Sequence, residues 1–331
     1  MRILGAIGTF CLAVFLIFTM LWGALALWYK LPAGQTVTLS VIGVLLMLGA
    51  LTVIHTFTRK TRRSLVVYAG AFGILLVWWI SIQPPADADW ADELARQVTG
   101  TIEGDTLRLD NVREFEWRGL DDATQVWSAR SYDLGQLQTL DLFLSYWGDP
   151  RMAHFMLSFG FSDGEYLAWS VEVRREKDGA YSPIADMFKA HPLIIVAAAE
   201  EDVVGVRSNI WENDVYLFRL NAPPETMRTL LELYVADANR LARAPEWYHS
   251  ILTNCTTLIA KTMGAAGLDV PFDWRILANG YLPELLHELG FLNTEYTVAE
   301  LRDLGRMAER VTASGLGTDY SDAARAGVPA P

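Results

Sequence analysis

Cys255 and His154 are the residues of this 331-residue chain whose types could do chemistry together. Of the two cysteines, Cys11 lies in a long apolar run, whereas Cys255 sits in the stretch Trp247 to Met263, WYHSILTNCTTLIAKTM, at what reads as a helix start. Asn254 has the side chain of an N-cap, and Leu258, Ile259 and Met263 recur at helical spacing until Gly264 and Gly267 punctuate the end. A thiol in the first helical turn meets unpaired backbone N–H groups and the positive end of the helix dipole, which favour the thiolate. That matters because an unshifted thiol, with a pKa of about 8.5, is only a few per cent ionised at neutral pH. The same N–H groups would serve an acyl-transfer intermediate as an oxyanion hole. The competing reading of Cys255 is a buried small hydrophobe.

A nucleophilic thiol needs a base, and His154, His191, His249 and His287 are the histidines outside the apolar runs. His249 is too near Cys255 in the chain for its direction to be read, His191 borders a proline turn, and His287 falls on a surface helix. His154 is the preferred candidate, with a satisfied core histidine as the alternative. It starts the first strand of a hairpin, Met152 to Phe161 and Tyr166 to Arg174, joined by Ser162-Asp163-Gly164-Glu165. Asp-Gly suits a two-residue type I′ loop, which would set His154 opposite Val173 and turn Glu172 to the other face. A one-residue bulge would reverse that and bring Glu172 beside the imidazole.

The elements that must position these groups begin in a membrane. Residues 1 to 86 contain no Asp or Glu and hold three apolar runs, at about 5–28, 37–57 and 64–82, each long enough to span a hydrocarbon core. A cleaved signal ending near Ala24-Leu25-Ala26 is disfavoured by the two runs that follow. The basic cluster Arg59-Lys60-Thr61-Arg62-Arg63 places that loop and the N-terminus in the cytoplasm, and everything after Ile82 outside. Six of the 27 basic residues precede residue 87, which leaves 39 acids against 21 bases, net −18, in the remainder. So acidic a domain is a poor nucleic-acid partner. No zinc or disulfide spacing and no cofactor motif is present, and a lone thiol in an oxidising compartment argues for retained reactivity.

Gln83-Pro84-Pro85-Ala86-Asp87 is a stiff exit, too short to let the outer domain wander far from the bilayer, and leads into a linker at 87–104. Beyond it, Thr106 to Asp110, Arg113 to Trp117 and Gln125 to Ser131 read as strands, and Leu134 to Tyr146 as an amphipathic helix. Tyr181 to His191 reads as a short helix, and Leu193 to Ala199, Val203 to Arg207 and Asp214 to Leu220 as strands. Pro223-Pro224 open a helix to about Arg243 whose buried stripe is Met227, Leu230, Leu231, Tyr234, Val235, Ala238 and Leu241. The domain is placed at 105–290, followed by a C-terminal extension, 291–331, read as loose from Thr312 on. The fold class is α+β. A strand histidine facing a helix-start cysteine is the papain-like arrangement, here permuted because the histidine comes first.

The segments W-S-A-R-S-Y, A-H-F-M-L-S-F-G-F-S-D-G and S-V-E-V-R-R-E, the Glu-Asp and Val-x-Val-Arg around 201 to 207, V-Y-L-F-R-L and W-Y-H-S-I-L-T-N-C-T-T follow in an order that resembles the Lnb N-terminal periplasmic domain family. The resemblance covers roughly residues 105–290. It implies a permuted relative of NlpC-type and lecithin:retinol acyltransferase-like thiol enzymes, in a bacterial inner-membrane protein with its C-terminal domain in the periplasm. In the family's namesake the domain belongs to an enzyme that N-acylates lipoproteins. Carried over, His154 and Cys255 match the family's histidine and cysteine, Glu172 and Arg174 fall in its S-x-E-x-R strand, and Glu172 or Asn254 would orient the imidazole or the substrate. One departure weakens the substrate assignment: in the namesake the membrane helices follow the domain, and here three spans precede it. Three readings therefore stand. They are a thiol acyltransferase acting on bilayer lipid or lipoprotein, an NlpC-like amidase acting on the cell wall, and a non-catalytic anchored binding or sensing domain.

Overall fold

The structure, a computed structural model, describes residues 2–58, 61–254, 256–258, 264, 271 and 273–331. They divide into two compact units, Met1–Pro85 with Ser182–His191, and Ala86–Tyr181 with Pro192–Pro331.

Helices α1 (Arg2–Lys30), α2 (Gln35–Thr58) and α3 (Thr61–Ser81) make up most of the first unit, and all three are long and apolar enough to cross a membrane. They pack through Leu16, Leu27, Leu45, Tyr68 and Leu75. At Gly49 a Cβ would lie 1.9 Å from the Met20 sulfur, the close approach that small residues permit between membrane helices. The segment 182–191 belongs to the same unit. Of the short helix read over Tyr181 to His191, only α4 (Pro183–Asp186) forms, capped by Ser182. The Phe188 ring stacks on Tyr29 at 5.7 Å, and Lys189 Nζ donates to the α3-terminal carbonyls of Trp79 (2.6 Å) and Ile82 (3.2 Å). A cation there satisfies carbonyls that the helix end leaves open.

In the second unit an eight-stranded sheet runs in the order β1 (Thr99–Glu103), β2 (Thr106–Arg113), β9 (Leu193–Ala198), β8 (Tyr166–Val173), β7 (His154–Phe161), β6 (Leu137–Tyr146) and β10 (Asp214–Arg219). Strand β5 (Trp127–Asp133) pairs with β2, and β3 (Glu116–Trp117) with β4 (Ala123–Thr124) forms a separate ribbon. The central strands are buried on both faces. Phe155, Leu157, Phe159, Trp169 and Ile195 face a core completed by the long helix α6 (Pro224–Arg243), whose buried stripe is the seven residues read from the sequence. Met156, Ala168, Ile194 and Val196 face the opposite way, onto a core that includes Val203 of α5 (Glu200–Val203) and Met307, Val311 and Tyr320 from the C-terminal segment.

Four expectations are corrected here. Leu134 to Tyr146 is a short 3-10 turn followed by strand β6, not a helix. Leu137, Leu140, Phe143 and Leu144 do recur at helical spacing, but a strand covered on both faces is apolar at consecutive positions, which blurs the two periods. Val203 to Arg207 is helical rather than extended, with α5 leading into a π-helical stretch at Val206–Ile210. The tail is packed rather than loose. Arg325, 9% exposed, pairs with Asp141 and Glu200, which are 0% and 1% exposed, and Tyr320 is fully buried. The stretch read as linker also contributes β1 to the sheet.

Candidate active site

The hairpin β7–β8 settles which residues face His154. Phe161 N donates to Glu165 O at 2.9 Å and Gly164 N to Phe161 O at 3.1 Å, so the loop has three residues, Ser162-Asp163-Gly164, not two. Gly164, at φ +92°, takes the left-handed position that such a loop requires and that glycine adopts most cheaply. Met156 therefore pairs with Ser170, and the same register sets His154 against Glu172. The one-residue shift reverses the two-residue expectation. His154, Ser170 and Glu172 consequently share a face.

Their polar atoms converge. The His154 Nε2 lies 2.7 Å from Ser170 Oγ and 3.2 Å from Glu172 Oε1. Ser170 Oγ donates to the same Glu172 oxygen at 2.6 Å, as does Arg207 Nη2 at 2.6 Å. A hydroxyl has one proton. Because Ser170 gives its proton to Glu172, it accepts from His154, which puts a proton on Nε2. Arg207 sits in the π-helical stretch, anchored by a 2.6 Å bond from Nη1 to Val203 O and lying over the Trp211 ring at 5.1 Å. Burial alone would raise the Glu172 carboxyl. The opposing charges of His154 and Arg207, with hydrogen bonds from His154 and Ser170, outweigh it and hold the group well below the ordinary carboxylate range. An ionised carboxylate behind an imidazole fixes its tautomer and stabilises its protonated form, which is what a general base needs in order to accept a proton.

The other histidines beyond residue 86 are otherwise engaged. His249 Nδ1 accepts the N–H groups of Ile251 and Leu252 at 3.2 Å each, and its pKa is lowered mainly by burial. His287 Nε2 bonds Tyr296 O at 2.9 Å, and His191 Nδ1 lies 2.7 Å from Asp186 within the membrane unit.

Cys255 itself lies outside the described residues, and its neighbours frame its position in the chain. Asn254 is an N-cap: its Oδ1 accepts from Thr256 N (3.0 Å) and Thr257 N (2.9 Å), and its Nδ2 donates to Ser250 O (2.7 Å). Residues 256–258 are helical, as the cap demands. The side chain of Asn279 then joins the two halves of the candidate site. Its Oδ1 accepts from Ala153 N at 2.8 Å, and its Nδ2 donates to Ala153 O and to Thr256 Oγ1, both at 2.7 Å. Ala153 precedes His154, and Thr256 follows Cys255.

Residues 123–280 match the Lnb N-terminal periplasmic domain family. The match takes in His154, Ser170, Glu172, Arg207 and Asn279, so the polar array lies wholly within the matched residues. No curated protein and no solved structure was found to match the chain. Together with the three apolar helices, the match describes a membrane-anchored protein carrying a domain of a periplasmic family. Sequence reasoning singled out His154 and Glu172 but passed over Ser170, Arg207 and Asn279. The Ser-x-Glu spacing at 170 and 172 was a usable signal, since strand residues two apart share a face. Arg207 closes the Val-x-Val-Arg motif, a signal that was noted without a role, whereas Asn279 carried none, because it reaches the site from an element remote in the chain.

Proposed function

We propose that the protein is a membrane-anchored Cys-His acyl-transfer enzyme of the bacterial inner membrane, with Cys255 as nucleophile and His154 as general base. The observation that carries this reading is the His154–Ser170–Glu172–Arg207 array, a base with its orienting carboxylate, inside a domain of this family. Attack of the Cys255 sulfur on a lipid ester carbonyl forms a C–S bond and breaks the C–O bond. The leaving alkoxide takes up the thiol's proton by way of His154. An amine then attacks the thioester, forming C–N and breaking C–S, and its proton passes through His154 to the departing thiolate.

Lipid is favoured over cell-wall peptide by the surface near these residues. Trp147, Met152, Ile251, Leu252, Trp274 and Leu277 are large, apolar and 41–72% exposed. They lie on the three segments that Asn279 and its neighbours tie together. Exposed apolar side chains on segments tied together in this way fit a binding surface for an apolar partner. The test is mass spectrometry of the full-length protein purified with phospholipid. An acyl adduct on Cys255 is expected in the wild type, accumulating in the absence of an amine and missing from Cys255→Ala. Release of muropeptide fragments without any lipid adduct would instead identify an amidase.

A further inference from the structure

We infer that Asn279 is a positioning residue that holds the strand entering His154 against the chain segment that carries Cys255. The inference rests on the thiol-enzyme reading above and adds to it the group that sets the geometry of the pair.

Four observations carry it. The Asn279 carboxamide bonds both backbone groups of Ala153, as a neighbouring strand would, and so adds one more rung to the ladder just ahead of His154. The same amide nitrogen donates to Thr256 Oγ1, and Thr256 N in turn donates to the Asn254 cap. The path Ala153–Asn279–Thr256–Asn254 thus runs from one side of the candidate pair to the other through groups that are 3%, 4%, 3% and 9% exposed. Finally, the turn carrying Asn279 is pinned at its base, because Gly280 N donates to Arg151 O at 3.0 Å, and Gly280 O accepts from Tyr146 Oη and Arg302 Nη2.

The chemistry allows few replacements. Position 279 must accept one bond and donate two, which a primary amide does and a carboxylate cannot. Leu258 packs in the core under α6, whereas His154 has the strand parity of the opposite face. Asn279 reaches between the two segments at the strand's end. Loss of the amide should leave both cores formed and the imidazole on Glu172, but release the relation between ring and thiol.

The experiment uses full-length protein in detergent with Cys11→Ser, so that Cys255 is the one thiol, and follows iodoacetamide alkylation from about pH 5 to about 9, a range spanning the ordinary histidine and cysteine pKa values. A thiol activated by the imidazole alkylates on a low-pH limb about tenfold faster near pH 6 than an unshifted one, after allowing for the lower nucleophilicity of a low-pKa thiolate. His154→Ala should abolish that limb. Asn279→Leu should abolish it as well while Glu172 keeps its partners. Should Asn279→Leu fail to fold, Thr256→Val removes only the bridging hydroxyl and should have the same effect, with Thr256→Ser restoring the limb. A low-pH limb that survives Asn279→Leu or Thr256→Val while His154→Ala removes it would overturn the positioning role alone. A profile indifferent to His154→Ala would overturn the Cys-His reading and this inference with it.

Discussion

At the scale of single residues, Glu172 decides how the candidate base behaves. One of its oxygens receives Ser170 and Arg207 and lies within reach of His154, and its side chain is 15% exposed. Removing that carboxylate leaves Arg207, 7% exposed, as an unpaired buried charge. Loss of one partner of a buried pair costs about 3–5 kcal/mol, so Glu172→Ala should lower the urea midpoint by a large fraction of the domain's stability. The carboxyl's folded pKa lies below its unfolded value. Its contribution to stability is therefore complete above the unfolded value and is lost as the pH falls through the folded one. Melting temperatures of the wild type should decline on acidification below the ordinary glutamate range, and Glu172→Gln should flatten that decline. An equal acid slope in both proteins would mean that Glu172 is not held ionised by its partners.

At the scale of elements, a single glycine in a loop sets the register of β7 against β8. With Gly164 in the left-handed region the loop holds three residues and Glu172 turns toward His154; a two-residue loop would have turned it away. The spacing of Asp163-Gly164 announces the turn but not its length, because both loop classes use the same residues. Helix α6, by contrast, was fully legible, since its seven buried residues follow one stripe and its start carries proline. Strand β6 was not legible, for its burial comes from both sheet faces rather than from a local period. The Asn279-Gly280 turn is constrained by close approach. A Cβ at position 280 would fall 2.0 Å from Pro150 O, a backbone atom that cannot swing aside. Gly280→Ala should cost about 1–3 kcal/mol as overpacking does, read as a shift in denaturant midpoint, and should loosen the loop that leads into His154.

At the scale of the whole molecule, the chain consists of a unit built on three apolar helices and a two-faced sheet unit. The second face of the sheet is closed by residues from the far end of the chain. Arg325 reaches Asp141 on β6 and Glu200 on α5, and its guanidinium lies 3.6 Å from the Tyr166 ring centroid. Arg325→Ala would remove a partner from two buried carboxylates, of which Asp141 keeps Arg219 at 3.2 Å and Glu200 keeps no arginine among the described residues. A loss of about 3–5 kcal/mol should follow, visible as reduced accumulation and a lower melting temperature. Orientation across the membrane is argued from the basic loop at 59–63. Alkaline phosphatase fused after Asp87 should be active in cells, and the same enzyme fused after Thr58 inactive. The reverse pattern would place the sheet unit in the cytoplasm.

The sequence by itself determined the three apolar spans, the long helix with its buried stripe, the hairpin, the cap at Asn254 and the choice of His154 and Glu172. Each of these is written in local periodicity or in a short motif. Only the tertiary structure decided the strand nature of residues 137–146, the one-residue register that joins Glu172 to His154, the packed tail, and the contributions of Arg207 and Asn279. These depend on groups tens to more than a hundred positions apart meeting in a buried place. No local pattern encodes such a meeting, because it is the burial of both sheet faces, and the need to satisfy every polar group trapped between them, that selects it.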